Sequence, residues 1–489
     1  MKVKRGGRNY VHLIVSTPLL IVGIGLFSYE GIIVDSLYNE IFVMKENNYY
    51  FKQWKDPVAD MRIDFYYFNW TNPQDLMNTS IKPRFEELGP FVFKEIVHKW
   101  NITFNDNDTI SFRNFKEYFF QQDKSNFTLN DNITALNVIP LIASDKSRNW
   151  NYFLQKGLSM TLNTFPHHLT KPAKEWLFEG YEDTLLTTSR YLPLGDFPDF
   201  EKFAWFYQRN ASASYEGDFN MGTGRGNTTF GKIYMWNFRN RSDYDDHCGE
   251  LQAAMELYPQ HLSKDFVYLF FPDFCRRVIL DYNGTFIWNG IEVNRYIGAE
   301  NFLDNGKFHP ENTCLCNRKC LKFGVFDYSK CKFGIPAYIS LPHFNKADPK
   351  YINDIEGMKP NDDIHRVEML INQRTGVAVD LKFAVQLNLY LEPNPSISLY
   401  RDVPEIMFPV FWFVVNITMD TKNLILLRIA LHLNLIFQII SVVLIGISLF
   451  LQMMFFYNYM KGSGKKKCDN RTCNSENLNL LSSKLNRNT

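Results

Sequence analysis

The stretch Val377-Ala-Val-Asp-Leu-Lys-Phe-Ala-Val-Gln-Leu-Asn-Leu-Tyr-Leu391 alternates over its whole length. Val377, Val379, Leu381, Phe383, Val385, Leu387, Leu389 and Leu391 form one set, and Ala378, Asp380, Lys382, Ala384, Gln386, Asn388 and Tyr390 the other. Successive strand side chains point to opposite faces, so this is one long strand with an apolar face. It is far longer than the usual strand of about five or six residues. Arg374-Thr375-Gly376 turns the chain back onto apolar residues 367–371, which predicts a hairpin. Residues 61–68 and 91–97 read as shorter strands. Long paired strands that must bury one face predict a large barrel or strongly curled sheet.

Helical spacing is concentrated in residues 147–188, where Trp150, Phe153, Leu154, Leu158 and Leu162 share a stripe. Lys171-Pro172 is expected to open a second helix through Trp176 and Leu177, since proline suits a first helical turn. No internal repeat or low-complexity linker divides the body, which reads as one domain.

The chain has 489 residues, with 53 Lys+Arg against 52 Asp+Glu and a net charge of +1. That balance hides two basic ends. Lys2, Lys4, Arg5 and Arg8 lie at one, and Lys461, Lys465, Lys466, Lys467, Arg471, Lys484 and Arg487 at the other. The body between them is acidic, which excludes a broad nucleic-acid face. Its 45% hydrophobic content excludes a disordered chain. Residues 9–29 and 429–460 contain no Asp, Glu, Lys or Arg. Each exceeds the roughly 20 residues that span a bilayer core. The first run continues as a helix through Leu37 and Ile41, and is too long for a cleaved signal with Gly23-Ile24-Gly25 at its end. Asn434 and Gln438 in the second run could line a helix–helix contact, but tolerated polar residues are the commoner case, and no transport role is assigned to them. The positive-inside rule puts both termini in the cytosol. The expected layout is a tail at 1–10, a first transmembrane helix at 11–34, a glycosylated body at 35–432, a second transmembrane helix at 433–457 and a tail at 458–489.

Asn-x-Ser/Thr occurs at Asn69, Asn78, Asn101, Asn107, Asn126, Asn132, Asn210, Asn227, Asn240, Asn283 and Asn416, all between the spans. Asn470 lies in the tail and is expected to stay unmodified. Cys248, Cys275, Cys314, Cys316, Cys320 and Cys331 fall within 248–331, an even set that predicts three disulfides in an oxidising compartment. The spacing alone leaves their connectivity open. Paired C-x2–4-C zinc ligands are absent, and no metal is expected. In the tail, Cys468 follows Lys465-Lys466-Lys467 and is a candidate for acylation. Glu476 lies four residues before Leu480-Leu481, an acidic dileucine pattern that suits a clathrin adaptor. The loop Gly226–Lys232 fails as a phosphate loop because Ile233 replaces the required Ser or Thr. No nucleophile elbow or zinc-protease helix occurs, so neither enzyme activity nor a cofactor is expected.

Several short motifs run in order along the chain: Phe51-Lys52-Gln53-Trp54, Phe68-Asn69-Trp70-Thr71-Asn72-Pro73, Glu87-Leu88-Gly89-Pro90-Phe91, Phe271-Pro272-Asp273-Phe274-Cys275-Arg276 and Asn312-Thr313-Cys314-Leu315-Cys316. Lys330-Cys331-Lys332-Phe333-Gly334-Ile335-Pro336, Ile339-Ser340-Leu341-Pro342-His343-Phe344, His365-Arg366 and Thr375-Gly376 continue the series over almost the whole chain. Together they resemble the class B scavenger receptor family. The resemblance implies an α+β membrane protein. Its large β-barrel-like ectodomain would enclose a lipid tunnel and carry an apical helical bundle, here about 147–188. It also implies the pairs Cys248–Cys314, Cys275–Cys331 and Cys316–Cys320.

The chain departs from the family at Glu175-Trp176-Leu177-Phe178-Glu179-Gly180-Tyr181, which holds one extra residue, and lacks clear apical lysine partners. His167, His168, Lys171 and Lys174 are the candidate apical ligand contacts, and the two histidines candidate pH sensors. The expected function is binding of lipids or lipoproteins, with passage of lipid to the membrane. The location is the endosome and lysosome membrane or the plasma membrane. A lysosomal sorting receptor that carries a soluble hydrolase is the alternative. A ligand-gated ion channel, suggested by Asn237-Phe238-Arg239, fits the ordered motifs poorly.

Overall fold

A computed structural model describes residues 6–188, 200–317, 319–332 and 334–485, with side chains at 13–187, 200–317, 319–332 and 334–461. The chain divides into two compact units, Met1–Glu40 with Ile425–Thr489, and Ile41–Leu424. In the first unit, Leu13–Ile41 and Leu433–Lys461 are long and apolar enough to cross a membrane. These helices meet along a seam of small and polar residues. The Ser448 hydroxyl donates to the Ser16 carbonyl at 2.6 Å, and the Tyr38 hydroxyl donates to the carbonyl of Ala430 on the preceding helix, Thr421–Leu431, at 2.6 Å. A Cβ on Gly23 would come within 2.8 Å of Ile445, so only glycine permits this approach. Gln438 donates to Glu30 at 2.5 Å, so it joins helix to helix rather than being merely tolerated.

The body is built on antiparallel strands. In chain order they are β1 (Asp60–Trp70), β2 (Phe85–Phe104), β3 (Thr109–Phe120), β4 (Asn132–Leu136), β5 (His168–Pro172), β6 (Tyr181–Glu182), β7 (Lys202–Phe203), β8 (Phe219–Gly222) and β9 (Ile233–Trp236). There follow β10 (Phe266–Phe271), β11 (Arg276–Trp288), β12 (Ile291–Ile297), β13 (Val325–Asp327), β14 (Ala337–Ser340), β15 (Val367–Asn372), β16 (Val377–Leu391) and β17 (Ile406–Thr418). The main sheet runs β10-β11-β12-β15-β16-β17-β1-β2-β3-β8-β9, with β14 also on β16. β15 and β16 form the expected hairpin. Asp60 of β1 faces Thr418 of β17, so the first and last strands of the body lie side by side.

An open sheet would leave β9 and β10 as bare edges. Ala254 lies between them, bridging Lys232 on one side and Leu269 on the other. The Ile233 amide donates to the Ala253 carbonyl at 2.9 Å, and the Phe270 amide to the Ala254 carbonyl at 2.7 Å. The sheet thereby nearly closes into a barrel.

Along the rest of the seam closure is ionic. β3 pairs with β8 only from Thr109 to Phe112. Beyond that the Ala211 amide donates to the Lys116 carbonyl at 2.8 Å, which brings Arg209 alongside β3. The Arg209 guanidinium donates twice to Asp273, at 2.6 and 2.9 Å, and to Glu216 at 3.1 Å and the Tyr118 hydroxyl oxygen at 2.8 Å. Lys116 meets Glu216 at 2.7 Å and Glu95 at 3.3 Å. Asp273 occupies the turn between β10 and β11, so charge joins that turn to β2 and β3. Burial would raise the Asp273 pKa, but the Arg209 charge and bonds pull it down to about 2.

The outer face of β16 is covered as well. Gln386 and Asn388 are fully buried, although their alternation reads as solvent-facing. Gln386 accepts from the His343 amide at 2.6 Å and donates to Asn388 at 2.7 Å, and Asn388 donates to the Ser340 hydroxyl at 3.0 Å. His343 Nε2 donates to Glu87 at 2.6 Å, and the Trp412 indole donates to the same oxygen at 2.7 Å. The His343 and His365 rings stack at 4.5 Å. The Lys359 amide donates to His343 Nδ1 and the Asn361 amide to His365 Nδ1, each at 3.1 Å. Protonating His365 at Nδ1 breaks the second of these bonds. Burial, then the neighbouring His343, lowers its pKa to about 4.

Cys248–Cys314, Cys275–Cys331 and Cys316–Cys320 are disulfides. The first two span 66 and 56 residues. Each stabilises by roughly 4 kcal/mol in the chain-entropy account.

Two outcomes are expected. The unfolded chain takes a proton on His365 near about 6.5, but the folded chain only near about 4. Stability therefore falls as pH drops through that window, by on the order of 1–2 kcal/mol. Thermal melts of the purified protein between pH 7 and 4.5 should show this slope, and His365→Gln should flatten it. Arg209→Met leaves Asp273 and Glu216 buried without their cation, which costs roughly 3–5 kcal/mol. Adding Asp273→Leu should restore part of that loss in the same melts. An unchanged midpoint in the single variant counts against the ionic seam.

Candidate functional site

The strand register defines the barrel interior. Phe411, Phe413, Val415 and Ile417 of β17 pair with Tyr67, Phe65, Ile63 and Met61 of β1 on the same face. Leu387, Val385, Phe383 and Leu381 of β16 continue that face on the other side. Phe206 reaches it from across the interior, 5.5 Å from Phe65 and 6.0 Å from Phe411 between ring centres. The opposite face of these strands carries Trp412, stacked on Tyr66 at 3.9 Å beneath the His343 cover.

Packing along this apolar wall is uneven. Phe411 and Phe65 are fully buried, but Phe413, Val415 and Ile417 are only half-buried, as are Met61 and Leu381. The wall thus loses its protein cover toward the end where β1 begins and β17 ends. Uncovered inward apolar surface can receive an acyl chain or sterol at about 0.8 kcal/mol per buried CH₂.

The inner face of β2 and β3 differs. Glu95 and Lys99 of β2 lie opposite Tyr118 and Asn114 of β3, and Lys116 opposite Val97. The Lys99 ammonium donates to Asn114 at 2.8 Å and to Glu256 at 2.5 Å. It also faces the Trp54 and Phe112 rings, 5.5 and 5.3 Å from their centres. Burial lowers its pKa, and the Glu256 charge works against that shift. Asn114 donates onward to Glu216 at 2.8 Å, which links Lys99 to the ionic seam. The interior therefore has an apolar wall and an ionic wall.

The helical region is less helical than its sequence suggests. Val138–Lys146 and Tyr152–Leu162 are helices, the second capped by Asn151, whose side chain accepts from the Leu154 amide at 3.0 Å. Leu158 and Leu162 are buried as expected. Phe153 and Leu154, expected on the same stripe, point outward. Tyr152, Phe153 and Met160 are 64%, 83% and 76% exposed, and form an outward apolar face. Apolar residues on two faces of one helix were the available signal for it. Pro172 ends β5, paired with β4, and a short helical segment follows it directly: residues 173–174 are α-helical and Glu175–Glu179, with Trp176 and Leu177, form a π-helical turn.

The four candidate apical residues lie in or beside β5. His167 Nε2 donates to the Leu399 carbonyl at 2.7 Å. His168 sits edge-on to Trp70, with its pKa lowered by burial and then by His167. Lys171 pairs with Glu175 at 3.4 Å, and Lys174 with Glu179 at 3.9 Å. Their charges are therefore locally balanced rather than forming a cationic apex.

Among the eleven sequon asparagines between the spans, Asn69 and Asn416 are half-buried and the others are exposed. His247 lies near Cys248 and Cys314, but those sulfurs are joined to each other and offer no thiolate to a metal. The side chains of Cys468, Glu476, Leu480 and Leu481 lie outside the described residues.

Comparison with known proteins agrees with this architecture. The model of the CD36 family matches residues 14–459. Protein peste of Drosophila melanogaster is 33% identical over 378 residues, covering 76% of this chain and 68% of that protein. Scavenger receptor class B member 1 of Bos taurus is 29% identical, covering 84% and 82%. Lysosome membrane protein 2 of Homo sapiens is 29% identical, covering 88% and 90%. With its two apolar helices and its nearly closed antiparallel sheet, the chain belongs to the CD36 family.

Proposed function

We propose that this protein is a two-pass receptor that captures lipid or lipoprotein on its body and passes the lipid through the barrel interior to the bilayer, with both tails cytosolic. The observation that carries the reading is the uncovered inner wall at Phe413, Val415 and Ile417. An acyl chain moving along it stays out of water, and each buried CH₂ contributes about 0.8 kcal/mol. The scavenger-receptor relatives support the same reading. Capture falls to the outward face of Tyr152, Phe153 and Met160, since Lys171 and Lys174 are held by acidic neighbours. That exposed helix also supports a second reading, in which the apex carries a soluble hydrolase toward the lysosome, as the likeness to Lysosome membrane protein 2 suggests. Glu476 with Leu480 and Leu481 would then engage a clathrin adaptor, and Cys468 would anchor the tail by acylation. The sequons of the body would carry glycans.

Val415→Trp should block the interior while leaving the apex intact. Cells that express it should bind lipoprotein normally but take up labelled lipid several-fold less. Phe153→Asp with Met160→Asp should do the reverse and abolish binding. Undiminished lipid uptake by Val415→Trp would sink the interior route. If the apical pair instead loses a hydrolase while lipid uptake persists, the sorting reading takes precedence. Leu480→Ala with Leu481→Ala should raise the surface fraction measured by biotinylation, and no change would reject the adaptor signal.

A further inference from the structure

We propose that Trp100 and Phe238 are platforms for the chain's own glycans, their rings packing against the first N-acetylglucosamine carried by Asn101 and by Asn240; this rests on the glycosylation reading above. Trp100 is 60% exposed and Phe238 82% exposed, and no other tryptophan among the described residues is exposed. Bare rings of this size are where a covering group gains most from burial. Trp100 lies where β2 bulges. Lys99 points inward opposite Asn114, and Trp100 outward opposite Arg113. Pairing resumes at Thr103 opposite Ser111, so Asn101 and Ile102 stand against Phe112 alone. Ile102 takes the inward place, packed on the cluster that holds Phe112. Asn101 is therefore the extra residue, with φ 51°, and is exposed beside Trp100. In a regular strand the two would point to opposite faces. Phe115, 6.3 Å from Trp100 between ring centres, widens the platform.

Phe238 is the second observation, and its backbone makes it the sharper one. Trp236 and Arg239 exchange backbone bonds at 2.8 and 3.1 Å around a two-residue turn, in which Asn237 and Phe238 have φ of 51° and 62°. Such turns favour asparagine followed by glycine. Asn237 fits, since its side chain also accepts from the Asp218 amide at 3.0 Å. Phe238 stands at the glycine position, where a bulky side chain strains the backbone, and it buries almost nothing in return. Asn240 opens its sequon two residues later and is exposed. The C–H face of a pyranose suits an aromatic face, whose π-electrons carry partial negative charge. A sugar tethered within two residues of the ring meets it at high effective concentration, so a weak contact is enough.

The test uses the full-length protein, made in cells that add N-glycans and held in nanodiscs, melted before and after enzymatic removal of the glycans. On backbone grounds alone Phe238→Asn should raise the midpoint, because asparagine tolerates this conformation. With the glycan present the variant should instead lose about 2 °C, and the loss should turn into a gain once the glycan is removed. Trp100→Ala should lower the midpoint by about 2 °C with the glycan in place and leave it unchanged in an Asn101→Gln background. Each glycan should also be released several-fold faster by the glycosidase when its own ring is replaced, and at the ordinary rate when the other ring is. That reversal of sign is the diagnostic feature, because a structural role of the rings alone predicts the same sign with and without sugar. Occupied sites whose variants respond identically in the two forms overturn the platforms alone. Mass spectrometry that finds Asn101 and Asn240 without sugar overturns the platforms together with the glycosylation reading of these two sites.

Discussion

The body depends on closing its sheet where strand pairing runs out, beyond the short β3–β8 ladder. Ala254 supplies backbone closure between β9 and β10. Arg209, Asp273, Glu216, Lys116 and Glu95 supply the rest by charge. A buried ion pair is weak evidence for net stability, since desolvation offsets much of its attraction. Its contribution here is geometric. Arg209 makes a two-pronged contact with Asp273, which fixes direction as well as distance. A strand in that place would need a partner edge that β3 offers only from Thr109 to Phe112.

That solution has a consequence for the interior. Because the seam charges face inward, one wall of the barrel is polar while β1, β16 and β17 present an apolar one. A uniformly apolar barrel of this kind would pack shut or admit any oil. On the proposed function, a two-sided interior would favour molecules with a polar end and orient them, so the charges that hold the sheet closed would also shape what the interior accepts.

How much of this was legible in the sequence depended on the range of the signal. The β15–β16 hairpin was readable because its period and turn lie within 25 consecutive residues, 367–391. The apolar spans were readable for the same reason. Gln386 and Asn388 misled, because a polar residue on an alternating strand looks solvent-facing until a distant segment bearing Ser340 and His343 covers it. Pro172 was only partly legible: the helical segment begins directly after it, but Pro172 itself is the last residue of β5, paired with β4. The seam was illegible altogether. Glu95, Lys116, Arg209, Glu216 and Asp273 are scattered over 179 residues of sequence, and each in isolation looks like an ordinary surface charge. Phe153 and Leu154 looked like core because an apolar residue carries no mark of the side it will face.

Acid separates the two devices that hold the barrel. The Arg209–Asp273 pair keeps its charge at any pH a cell presents, since Asp273 is held at about 2 by Arg209. The outer cover does not share that tolerance, because His365 gains its proton in the unfolded chain long before the folded form accepts one. Acidification therefore loads the cover first, at the bond that the Asn361 amide donates to His365 Nδ1. A molecule built this way can meet an acid compartment with its interior intact while the segment over Trp412 loosens, so any change in behaviour at low pH begins on the outside of β16 and β17 rather than within the lumen of the sheet.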